Sequence, residues 1–163
     1  RLRGTGLPLL PLASVTKVDN GEDTGMAAMG VAQREEFLAA VHVGALSVAR
    51  SDGPPLTVPV WYQYEPGGEV RVQTGPESLK FRLLDSAREF SLLVQEETPP
   101  YKYVSVSGPV VSIESDTTQP DREAMARRYF DGDALDGYLK AIEGSQIVTL
   151  HMRPRRWYST DHS

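Results

Sequence analysis

The chain has 163 residues, about one typical domain, with 40% hydrophobic and 24% charged residues, enough to bury a core without disulfide or metal staples. Its 17 Lys and Arg against 22 Asp and Glu leave a net charge of -5, which excludes a general nucleic-acid binder and makes any anion site a local one. Cysteine is absent, which excludes disulfide scaffolds, thiolate zinc sites and cysteine nucleophiles, and no apolar run reaches the ~18 residues of a membrane-spanning helix.

In chain order, Arg1 and Arg3 precede the apolar run Leu7-Pro8-Leu9-Leu10-Pro11-Leu12, which its prolines interrupt as a secretory signal. Met26 or Met29 is the more natural start, so residues 1–25 are expected to be a flexible extension, residues 26–163 the domain, and the cytoplasm its location. From Ala32 the pattern is helical, with Phe37, Leu38 and Val41 on one stripe opposite Arg34 and Glu35. Val43 to Arg50 reads as a strand, and Ser51-Asp52-Gly53-Pro54-Pro55 supplies the turn of a hairpin. A second strand is predicted from Leu56 to Tyr64. Leu56, Val58, Val60, Tyr62 and Tyr64 then face a barrel interior, and Thr57, Pro59, Trp61 and Gln63 face away.

Glu65 to Gly68 turns the chain into a third strand through Val70, Val72 and Thr74, completing a meander. Gly75 to Ser78 breaks it, and Leu79, Leu83 and Leu84 recur at helical spacing. Phe90, Leu92 and Val94 mark a fourth strand, and Tyr101 to Ile113 a long fifth with Val104, Val106 and Val110 in phase. Gln119 to Phe130 and Ala134 to Ile142 read as helices, and Ile147 to Met152 returns to strand. About six strands without βαβ alternation predict an α+β fold with a closed or nearly closed antiparallel sheet.

Three segments carry chemistry. Gln73 to Arg82 places hydroxyls, a glycine and Lys80 at a helix start, where free N–H groups and the helix dipole favour an anion; equally, Ser78 serves as a plain N-cap and Lys80 as a solvated cation. Pro59 has no N–H for a ladder and belongs at a sheet edge or bulge. Trp61, in phase with it, meets either an interface or planar ligand, or the chain's own helices. Tyr103, Ser105 and Ser107 form a polar row that lines a cleft or subunit contact, or simply faces water. Asp131-Gly132-Asp133 lacks the later ligands of a calcium loop, and His42, His151 and His162 have no helical partners, so no metal is expected. Arg153, Arg155 and Arg156 form a basic cluster, either solvated or facing an acidic group.

The series Val43-Gly-Ala-Leu-Ser-Val48, Pro59-Val-Trp-Tyr62, Thr74 with Ser78-Leu-Lys80, Tyr103-Val-Ser-Val-Ser-Gly108 and Arg153-Pro-Arg-Arg-Trp157 resembles the pyridoxamine 5'-phosphate oxidase-like superfamily, in particular its flavin/deazaflavin oxidoreductase branch. The resemblance covers roughly residues 33–161. It implies an antiparallel split β-barrel with short peripheral helices, forming a homodimer that binds FMN or the deazaflavin F420 at its interface. It further implies hydride transfer to or from a small planar organic substrate, while the net charge and the lack of a long apolar run predict no nucleic-acid or membrane partner. Val58, Pro59, Val60 and Trp61 would run beside the ring system, and Gln73, Thr74, Ser78 and Lys80 would hold the phosphate. Tyr103 matches a ring-proximal position where the oxidases carry glutamine. Leu79 stands where they carry arginine, which removes a bidentate phosphate partner and weighs slightly toward the deazaflavin. No catalytic side chain is assigned, because such a cofactor carries the hydride chemistry itself. The alternatives are a non-catalytic cofactor carrier, a haem carrier of the same fold with His42 as axial ligand, and a barrel that dimerises but binds nothing.

Overall fold

The computed structural model describes residues 28–163, so the expectations for residues 1–25 and for a domain start at residue 26 lie outside the described residues. Alternating apolar residues build the strands β1 (Gly44–Val48), β2 (Leu56–Val60), β3 (Tyr62–Gln63), β4 (Val70–Thr74), β5 (Glu89–Glu96), β6 (Lys102–Glu114), β7 (Val148–Met152) and β8 (Arg156–Asp161). The helices are α1 (Val31–Ala39), α2 (Leu79–Ala87), α3 (Gln119–Tyr129) and α4 (Gly132–Ala141).

Every strand pair is antiparallel, and the order is β2-β1-β5-β6-β7-β4-β3, with β8 pairing β6 off this path. The two ends of the path, β2 and β3, are consecutive in the chain and separated only by Trp61. The sheet therefore curls until its ends meet at one residue, giving an α+β split barrel. Its interior is filled by Leu46, Tyr62, Val72, Leu92, Val106 and Leu150, all fully buried. Burial of each such side chain is worth ~1.5–3 kcal/mol, which is why the period-two pattern prevails over local propensity.

The single strand predicted from Leu56 to Tyr64 is in fact two, because residues before Trp61 pair with β1 and those after it pair with β4. The inward phase survives the bend: Val60, Tyr62 and Tyr64 are buried and Pro59 is exposed. The stripe predicted on α1 also needs correction. Leu38 is buried and Phe37 packs on the core, but the helix ends at Ala39 and leaves Val41 58% exposed. β8 is unannounced by the sequence pattern; its buried positions include the polar Ser159 and Thr160, and Ser159 accepts a hydrogen bond from the Met29 N–H at 3.2 Å.

β6 pairs with β8 through Lys102–Ser107 and with β7 from Val110 onward, and the chain passes from β7 to β8 across Gly108. A Cβ at Gly108 would lie 1.9 Å from the Arg153 carbonyl oxygen, so only glycine admits this corner. Two hydrogen bonds hold it, from the Arg153 N–H to the Pro109 carbonyl (3.0 Å) and from the Arg155 N–H to the Ser107 carbonyl (2.9 Å).

Candidate functional site

β4 delivers Gln73 and Thr74 to the start of α2, and the pleat sends them to opposite faces. Thr74 points inward, 9% exposed, while Gln73 points outward and donates from Nε2 to the Asp121 carbonyl of α3 at 3.1 Å. After the Gly75 turn, Ser78 caps α2 by accepting from the Phe81 N–H at 3.0 Å, and its hydroxyl stands 3.1 Å from that of Thr74. The plain N-cap role is thus realised for Ser78.

Lys80 is the second residue of α2 and half-buried, and among the described residues it makes no ion pair. Burial holds its ammonium below the ordinary lysine value. A cation in the first turn also has the wrong sign for the helix dipole, whose positive end lies there. An anion at this place would offset the dipole, the unpaired ammonium and the free N–H groups of the first turn together.

β2 pairs only with β1, so its other edge has no strand partner among the described residues. Pro59, opposite Ala45, sits on this edge strand as its missing N–H predicts. Val60 is 5% exposed and belongs to the core, which leaves its backbone as the part facing the edge. Val58 and Pro59 line a recess of about 740 Å³ together with His42, Gly44, Gln95 and Thr98. His42 packs against Phe37 with ring centroids 4.6 Å apart and tilted by 33°, and burial lowers its pKa. Its Nε2 is enclosed and without a partner.

Trp61 stacks on Tyr129 at 4.8 Å and 7°, and contacts Phe130 and Tyr138 at 5.0 Å each. Its partners are the chain's own helices α3 and α4, the second of the two readings for this residue. The Tyr129 hydroxyl accepts from the Tyr62 N–H at 3.1 Å and donates to the His42 carbonyl at 2.8 Å, so α3 fastens the bend between β2 and β3. Sequence reasoning places Tyr129 only on a helical stripe; nothing local signals a contact made 67 positions away. Tyr103 is half-buried on β6, opposite Gln95 of β5 and Thr160 of β8, with β1 and β5 between it and β2. The fold thus brings Thr74 to Ser78 at the start of the helix that carries Lys80, joins Val58, Pro59 and Val60 along one edge, turns the adjoining Trp61 onto α3 and α4, and leaves Tyr103 across β1 and β5 from that edge.

No protein-family profile and no curated protein matches the chain. Among solved structures, an F420 reductase is 22% identical, with 76% of this chain and 94% of that one covered at a TM-score of 0.61. An FAD-binding protein from Mesorhizobium loti is 20% identical, covering 83% and 97% of the two chains at 0.58. A relative of general stress protein 26, of the pyridoxinephosphate oxidase family, from Clostridium acetobutylicum is 10% identical over 81% and 88% at 0.59. At these identities the likeness is one of fold: the chain shares the antiparallel split barrel of these proteins, the fold that the sequence resemblance implies. No helix among the described residues is long and apolar enough to cross a membrane.

Proposed function

We propose that this protein is an oxidoreductase that binds the phosphate of a flavin-type cofactor, F420 or FMN, and acts as a homodimer on a small planar organic substrate. The observation that carries the proposal is Lys80, a half-buried ammonium without a carboxylate partner among the described residues, set in the first turn of α2, the helix whose N-cap Ser78 pairs its hydroxyl with that of Thr74. Lys80, the hydroxyls and the N–H groups of α2 would hold the phosphate. Gln73 would act indirectly, by tying the end of β4 to α3. The free edge of β2, from Val58 to Val60, would present backbone to the ring. When bound, such a cofactor supplies hydride transfer, so the chain's own part is to hold it, orient a substrate and exclude water. Leu79, 43% exposed where a second phosphate-binding cation would be of use, favours F420 over FMN.

A homodimer is supported by exposed apolar residues around β1 and β5: Val43 is 57% and Leu93 36% exposed, and Pro59, Ala45 and Leu93 share one cross-strand row. Leu93→Arg should convert the dimer to a monomer in sedimentation; an unchanged sedimentation coefficient rules out this face.

The cofactor assignment is tested by titrating the protein with F420 and with FMN and following tryptophan fluorescence. Tight binding of at least one is expected, weakened by Lys80→Glu roughly ten- to hundred-fold, the loss of one charge-assisted contact with repulsion added. An unchanged dissociation constant refutes the phosphate site.

A further inference from the structure

The basic cluster Arg153–Arg156 divides when the chain folds. Arg153 pairs with Glu69 at 3.4 Å, while Arg155 and Arg156 are exposed and pair with no described carboxylate. Both line a recess of about 390 Å³ on the outer face of the sheet, together with Ser47, Ser91 and Ser107. Glu89 is the one acidic residue among those lining it.

Register explains how residues so far apart in sequence converge. Thr57 lies opposite Ser47, Ser47 opposite Ser91, Ser91 opposite Ser107, and Ser107 opposite Arg156, one straight row across β2, β1, β5, β6 and β8. Strands lie ~4.8 Å apart, so the three serine hydroxyls span ~10 Å and the row continues to a guanidinium. The Thr57 hydroxyl donates to that of Ser47 at 3.1 Å, while Ser91 and Ser107 make no side-chain hydrogen bond among the described residues. Free hydroxyl donors beside two permanently charged guanidinium forks are the chemistry that recognises an oxyanion, and they occur here in a chain of net charge -5.

We infer that this recess is an oxyanion site for a small molecule carrying phosphate or diphosphate. It is separate in composition from the Thr74, Ser78 and Lys80 group and does not rest on the cofactor proposal. Its hydroxyl row fixes where the anion sits, and Arg155 and Arg156 supply the charge.

Pyrophosphate is the probe, followed by amide NMR on the full chain. Resonances of Ser91, Ser107 and Arg156 should move together along one binding curve, separable from any changes between Gly75 and Lys80. Arg155→Gln with Arg156→Gln should weaken that curve at least about ten-fold. Ser91→Ala with Ser107→Ala, at unchanged net charge, should weaken it several-fold, whereas Lys80→Glu should leave it in place. Two results would overturn the inference: no movement at the row, or a double serine variant that binds as tightly as the parent, since diffuse positive charge would then suffice.

Discussion

Replacing Gly108 by alanine tests the corner on which β7, β8 and the Arg155–Arg156 pair depend. The added Cβ would stand 1.9 Å from the Arg153 carbonyl oxygen, 2.9 Å from its carbon and 3.2 Å from the Met152 sulfur, where ordinary contact begins at 3.4 Å. Relief requires a backbone displacement of 3.4 − 1.9 = 1.5 Å, because the nearest atom belongs to the main chain and has no rotamer to escape into. Such a shift breaks the hydrogen bonds at 3.0 and 2.9 Å that bracket the corner. Overpacking costs ~1–3 kcal/mol and each lost hydrogen bond ~0.5–1.5 kcal/mol, which together come to about 4 kcal/mol. For a domain of this size the melting temperature should fall by roughly 8–16 °C. Urea denaturation followed by far-ultraviolet circular dichroism measures the loss. A change below about 1 kcal/mol would refute so close a crossing, and with it the placement of Arg155 and Arg156.

Tyr129→Phe keeps the ring stacked on Trp61 but leaves the Tyr62 N–H without its 3.1 Å partner, so stability should drop by about 2 kcal/mol in urea melts; an unaltered midpoint would mean the bend is held by packing alone. Burial keeps the His42 pKa below its ordinary 6.5, so the unfolded chain takes up this proton first. Stability attributable to His42 is therefore full above about pH 6.5 and is lost as pH falls toward the depressed folded value; a His42→Gln variant with the same pH slope would exclude this source. Lys80, held below the ordinary lysine value by burial, should titrate higher once an anion is bound, and a side-chain NMR titration that shows no rise at saturating FMN or F420 counts against the phosphate site.

Local features were legible from the chain alone. Period-two alternation located β1, β2, β4, β5, β6 and β7, because each inward residue must be buried whatever strand lies beside it. The edge position of Pro59 followed from its missing N–H, and the N-cap role of Ser78 from its place before the Leu79–Leu84 helical pattern. Non-local pairing decided the rest. No residue between Leu56 and Tyr64 states that the strand changes partner at Trp61; that depends on which edges remain open once β5, β6 and β7 have assembled. β8 is a strand because β6 is long enough to offer it an edge beside β5, although Ser159 and Thr160 give it little apolar signal. The Tyr129 contact with the Tyr62 backbone, the parting of Arg153 from Arg155 and Arg156, and the hydroxyl row from Thr57 to Ser107 are consequences of register. A sequence displays the faces of its elements through their periodicity, whereas register and edge choice are properties of pairs of segments and arise only when those segments meet.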